Sequence, residues 1–240
     1  MFLSNPPDTK YDWKFRLLNI PVRVHPFFWL ACLLLCMGAL RTDNPGIVNA
    51  LILASWTFCL FVSIMVHEYG HALTGRKYGS KSVRVVLYAF GGLAINANGR
   101  NRKQRIWILL NGPFAGFILG GIFLAIDYSI PKVDGGVQVS NNGYLDYFIT
   151  LVISNMIWIN MLWGMLNLVP IYPLDGGQVF YEVMQGKNPR KATYLTHKVS
   201  IITCVILGII AIATGYSFGL IMLALLGFEN YQAMQRGHYY

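Results

Sequence analysis

The sequence predicts an all-α polytopic membrane protein of about six transmembrane helices, with a small membrane-associated β segment between the second and third. Three observations carry this. Of the 240 residues, 55% are hydrophobic and only 12% are charged, about half the share of roughly 25% found in soluble domains. The mean hydropathy is +0.48. Several stretches approach the ~20 mostly apolar residues needed to cross a hydrocarbon core. This composition excludes a disordered chain, which needs low hydrophobicity. It also argues against a water-soluble globule, whose surface needs more charge.

The spans follow in order. Residues 22–40 (VRVHPFFWLACLLLCMGAL) form a marginal first one. Residues 47–73 form a longer second, with HEYGH near its C-terminal end. Residues 106–128 and 145–169 are the third and fourth, the fourth ending in NLVP. Residues 199–213 and 217–234 are joined by the short Thr214-Gly215-Tyr216 turn. The last has the shortest apolar part, so five spans is the alternative count. Between the second and third, VRVVLYAFGGLAIN (83–96) is rich in β-branched residues and too short to span as a helix. It reads as one or two strands broken at Gly91-Gly92, which survive at membrane depth only inside protein or beside a wet cavity. The polar segments leave no room for an accessory domain, so residues 1–240 are expected to form one domain. The N-terminal stretch does not have the pattern of a signal peptide, and the first span is expected to direct insertion.

Charge sets the orientation. With the N-terminus inside, 17 of the 19 Lys and Arg fall in inner segments, leaving Arg41 and Lys132 outside. The positive-inside rule then puts both termini in the cytoplasm, with the plasma membrane as the expected location. The same partition accounts for the net charge of +9 without a nucleic-acid partner. Cys32, Cys36, Cys59 and Cys204 all lie in apolar stretches without zinc-knuckle or disulfide spacing, and read as packing residues. Gly112, Gly116 and Gly120 recur every four residues, as in close span packing. His25 reads as an interfacial residue and His197 as a solvated one in a basic inner loop. Trp13, Trp29 and Tyr181 read as interfacial anchors.

The sharpest chemical feature is His67-Glu68-Tyr69-Gly70-His71. On a helix, positions i and i+4 share a face, so two imidazoles can bind one Zn²⁺ while the intervening Glu reaches a water as general base. Three ionisable groups at the end of an apolar span are costly there, which favours function over a polar patch. A third ligand is needed. The metzincin pattern fails, because Lys77 stands where it requires a His. Asp175, in NLVPIYPLDGGQ, ends a span between helix-breaking prolines and the Gly176-Gly177 pair. Glu182 is the alternative.

At these residues the chain resembles the site-2 protease family of intramembrane zinc metalloproteases, in a compact form without PDZ or CBS domains. The family pairs HExxH on one span with an N-P-x-x-P-L-D-G-G type segment on a later one, here Asn167, Pro170, Pro173, Leu174, Asp175, Gly176 and Gly177. Phe90-Gly91-Gly92 and Asn111-Gly112-Pro113 are weaker matches between them. The resemblance implies that one Zn²⁺ is held by His67, His71 and Asp175, with Glu68 activating the water. It implies that Asn167 contacts the substrate backbone or the oxyanion. The β segment ending at Gly91 and Gly92 reads either as an edge that captures an unwound substrate strand by backbone hydrogen bonds or as a simple hairpin packed on the spans. The substrates implied are single-span membrane proteins in a lipid bilayer, cut in or near their transmembrane segments; a homo-oligomer is left open. Two alternatives stand beside this: an inactive homologue that binds membrane helices, and a prenyl-type membrane protease using Glu182. A transporter lacks the expected matching halves.

Overall fold

The N-terminal residues before the first helix form a hairpin. β1 (Trp13–Leu17) and β2 (Ile20–Val24) pair antiparallel. Their two-residue turn places Leu18 at φ 49° and Asn19 at φ 59°, the left-handed pair that matches the twist of a tight hairpin. β2 then pairs in parallel with β3 (Arg84–Tyr88), which turns back into β4 (Gly91–Ile95). The result is a four-stranded sheet in the order β1-β2-β3-β4. This computed structural model describes residues 6–89, 91–133, 136–140, 142–215 and 217–236. Phe90 and Tyr216, singled out above, lie outside the described residues.

The sheet corrects the expected first span. Residues 22–40 are not one helix: β2 occupies their start, and α1 (Pro26–Cys36) is only 11 residues long before a 3-10 turn. His25 divides the two. Its backbone N–H donates to Leu87 O at 2.9 Å, and its ring nitrogen accepts from Phe27 N at 3.2 Å, capping α1 ahead of Pro26. It is buried and serves as the helix cap. Buried Arg23 donates to Asp8 and Asp12 and to the carbonyl of Pro6. The Lys14 ammonium and the Arg23 guanidinium hold the Asp8 carboxyl below the usual carboxylate range.

The rest of the chain is mostly helical. α2 (Gly46–Lys77), α3 (Arg102–Ser129), α4 (Gly143–Leu168) and α6 (Ala192–Ala213, with the 3-10 turn before it) are each long and apolar enough to cross a membrane. Pro45 opens α2, and Gly79 at φ 89° closes it, with Ser80 N donating back to Gly75 O. Arg76 and Lys77 in its last turn complement the helix dipole. A short β5–β6 ribbon (Lys132–Val133, Gly136–Val137) lies between α3 and α4. The polar stretch between the expected fourth and fifth spans contains α5 (Asp175–Lys187). α7 (Ser217–Arg236) follows α6 after a turn containing Gly215.

Two compact units can be distinguished: Met1–Ala97 with Asn111–Gly164, and Asn98–Leu110 with Met165–Tyr240. In the first, the inner faces of β2 and β3 (Val22, Val24, Val85, Leu87) pack with Phe28 of α1 and Cys59, Leu60 and Ile64 of α2. Its helix contacts rest on small and polar residues, as in membrane bundles. Added Cβ atoms at Gly116 and Gly120 would approach Asn160 and Met161 of α4. Asn160 Nδ2 donates at 2.8 Å to Ser63 Oγ of α2. In the second unit, α6 and α7 pack as a hairpin, with Gly227 beside Cys204. The outer face of α6 (Ile202, Val205, Ile206, Ile209, Ile212) is exposed and apolar, a face suited to lipid rather than water. All four cysteines are buried and unbridged, as expected of packing residues.

Candidate metal centre

The two histidines of HEYGH lie one turn apart on α2. His67 is 6%, Glu68 5% and His71 7% exposed, inside the first unit. His67 Nε2 and His71 Nε2 are 3.1 Å apart, and the rings meet edge to face at 81°. Zinc binds imidazole nitrogens at ~2.0–2.1 Å with tetrahedral angles, which requires two such nitrogens about 3.3 Å apart. The pair is therefore spaced to share one ion, and the donor chemistry fits zinc.

Glycines make this packing possible. A Cβ on Gly112 of α3 would run into the His71 ring at Cε1 and Nε2. Gly70, between the two histidines, sits equally close to the backbone of Asn111 and Gly112. Gly112 therefore does more than let spans approach: its bare backbone forms the wall against the Nε2 edge of the His71 ring. Pro113 beside it is fully buried within α3. On the other side, β4 lies against Glu68. A Cβ on Gly92 would come within 2.7 Å of Glu68 Cδ and Oε1, whereas Gly91 has open space around it. The two glycines, equivalent in the sequence, differ in the structure.

The remaining site residues belong to the second unit. Asn167 is half-buried at the penultimate position of α4. Asp175 is buried at the first position of α5, where a carboxylate is favoured by the helix N-terminus. Gly176 and Gly177 close onto the backbone of residues 168–172, where added Cβ atoms would collide. Glu182 has a different role. Arg105 Nε and Nη2 donate to its two carboxylate oxygens at 2.7 and 2.9 Å, a bidentate pair that commits both lone-pair faces. Glu182→Gln should therefore leave the zinc content of the purified protein unchanged. Its cost should be on the order of 1 kcal/mol in stability, because Arg105 is partly exposed. Metal analysis and thermal unfolding of this variant and of Asp175→Ala check it; zinc lost only from the Glu182 variant would reverse the assignment.

Two residues have places that the sequence did not suggest. His197 is buried, not solvated, and its Nδ1 lies 2.7 Å from Asn230 Oδ1. Asn230 of α7, a polar residue 2% exposed near the end of an apolar helix, had no motif to mark it. A lone Asn in such a helix was its only signal.

Paired imidazoles with a Glu between them, on a helix able to cross a membrane, define a metallopeptidase-type site in a membrane protein. The chain belongs to peptidase family M50, the site-2 protease family, whose profile matches residues 55–133 and 124–207. A zinc metalloprotease of Methanocaldococcus jannaschii is 29% identical over 174 residues, 72% of this chain and 45% of that protein. Stage IV sporulation protein FB of Bacillus subtilis is 27% identical over 201 residues, 80% of this chain and 57% of its own length. The chain thus spans about half the length of these curated relatives. The solved structure of the site-2 protease from Methanocaldococcus jannaschii shares the fold, with a TM-score of 0.63 and 22% identity, covering 93% of this chain and 95% of that one.

Proposed function

We propose that the chain is an intramembrane zinc endopeptidase that hydrolyses peptide bonds in or near the transmembrane segments of single-span membrane proteins. The observation that carries this reading is the His67–His71 pair, spaced for one ion and borne with Glu68 on a helix long and apolar enough to cross a membrane. His67 and His71 would hold the zinc. Asp175 would be the third ligand, supported by its match to the family's L-D-G-G segment and by the commitment of Glu182 to Arg105. Zinc bound by these residues supplies a Lewis acid that lowers the pKa of water towards ~7 and polarises a carbonyl.

Glu68 then acts as the base: its carboxylate takes a proton from the attacking water and returns it to the leaving amine nitrogen. Gly92 bounds the space in which that carboxylate moves. A helical substrate has its amides bonded internally and must unwind first. β4 pairs on one side only, with β3, among the described residues. Its other edge, beginning at Gly91 and Gly92, can add the unwound strand by backbone hydrogen bonds beside Glu68. Asn167 would hydrogen-bond the substrate backbone or the developing oxyanion.

In the bilayer, α7 would join the four long helices as a further crossing, while α1, 11 residues long, is too short to cross alone; the protein would sit in the plasma membrane. The test is reconstitution of the full chain in liposomes with a set of tagged single-span substrates, with and without a zinc chelator. A fragment cut within or beside the span, absent under chelation and restored by zinc, is the expected result. A chain that binds zinc and the spans yet yields no chelator-sensitive fragment from any of them would favour the helix-binding alternative.

A further inference from the structure

The segment that leads into Asp175 is held from outside by the last two helices. Residues 168–174 leave α4 through Pro170 and Pro173, so their backbone cannot bond in helical fashion. Most of its groups find partners close by: Ile171 N donates to Val169 O, Leu174 N to Ile171 O, and Gln178 Nε2 to Pro173 O. Tyr172 is different. Its N–H donates to Ser200 Oγ of α6 at 2.8 Å, and its carbonyl accepts from Asn230 Nδ2 of α7 at 2.5 Å.

Both holding residues are themselves fixed. Ser200, 0% exposed, donates its hydroxyl proton to Thr196 O at 2.8 Å, leaving a lone pair aimed at Tyr172. Asn230 also donates to Leu226 O at 2.8 Å, and its Oδ1 faces His197 Nδ1, whose ring stands edge-on to that of Tyr172. Between Tyr172 and α5 the chain has little freedom, because Gly177 closes onto Ile171 and Tyr172, and Gln178 N donates to Leu174 O at 3.0 Å. A shift at Tyr172 is therefore carried to Asp175, three residues on. Buried polar side chains on apolar helices are costly, and packing α6 on α7 does not require these to point at a loop backbone.

We propose that Asn230 and Ser200 are positioning residues for the third metal ligand: by clamping both backbone groups of Tyr172 they fix the Asp175 carboxylate, so that α6 and α7 set the affinity and geometry of the metal site. This rests on the reading of Asp175 as a ligand. The role resembles that of outer partners in other metal sites, whose removal costs about 10–100-fold in metal affinity.

The test uses the purified full chain. Zinc affinity is measured by chelator competition, and the ligand geometry by the visible spectrum of the cobalt-substituted protein. The variants are Ser200→Ala, Asn230→Asp and Asp175→Ala. Thr196→Val serves as a packing control, because its hydroxyl bonds only within α6, to Ala192 O. Ser200→Ala and Asn230→Asp should each weaken zinc binding at least tenfold and alter the cobalt spectrum, while Thr196→Val changes neither. Thermal unfolding should stay within a few degrees for Ser200→Ala, which decides the matter alone if Asn230→Asp does not fold. Wild-type affinity and spectrum in Ser200→Ala, with zinc lost in Asp175→Ala, would overturn the positioning role only. Unchanged metal binding in Asp175→Ala would overturn the ligand assignment and this proposal with it.

Discussion

Glu68→Gln is expected to lower the cleavage rate by about 10²–10⁴-fold while leaving one zinc per chain. Gln keeps the shape of Glu and its place on α2, but its amide cannot take a proton from water or return one to the amine. His67 and His71 keep their spacing of 3.1 Å without it, since each is placed by the helix and not by the carboxylate. Loss of activity should thus separate from loss of metal, which a change at either histidine would not achieve. Cleavage of a reconstituted single-span substrate, with zinc analysis on the same preparation, reads both quantities. A Glu68→Gln protein that cuts at the wild-type rate would remove Glu68 from the mechanism, whatever its zinc content.

Why was this part of the site legible in the sequence, and other parts less so? HEYGH is a local pattern: the 3.6-residue period alone puts residues 67 and 71 on one face, so the paired imidazoles needed no tertiary information. The long apolar helices were equally legible, because about 20 apolar residues have few other uses. The N-terminal hairpin was missed for a physical reason. Its second strand, IPVRV, runs directly into the apolar α1, and a hydropathy window cannot divide a strand from the helix that follows it. Its partner β3 is about 60 residues away, beyond α1 and α2, so the parallel pairing left no local trace. α5 was missed because its sequence is mixed and polar. Gly112 looked like a packing glycine; that a Cβ there would strike the His71 ring depends on how α3 lies against α2. His197 looked solvated because the sequence placed it in a basic loop, yet it lies on α6 with its ring turned inward to Asn230.

Gly91 and Gly92 provide the second large effect, because adjacent and chemically identical substitutions should differ sharply. A methyl group at Gly91 meets nothing within 4 Å, while one at Gly92 would lie 2.7 Å from Glu68 Cδ and Oε1, well inside contact distance. The backbone of β4 is extended at both positions, so alanine itself is tolerated. What gives way at position 92 is the Glu68 side chain, which has rotatable bonds and can turn aside at modest cost in stability. It cannot do so and keep its carboxylate in place. A displacement of about 1 Å in a reacting group can cost about 10²-fold in rate. Gly92→Ala should therefore lose activity by about that factor, with zinc content and unfolding temperature close to wild type. Gly91→Ala should cut within about twofold of wild type, since a strand added to the β4 edge pairs through backbone groups that alanine retains. Rates and zinc content of the two variants, measured on one substrate, check both halves. Equal activity in the two would place Glu68 elsewhere than against β4. Zinc loss in Gly92→Ala would show that the strand supports the metal rather than the base.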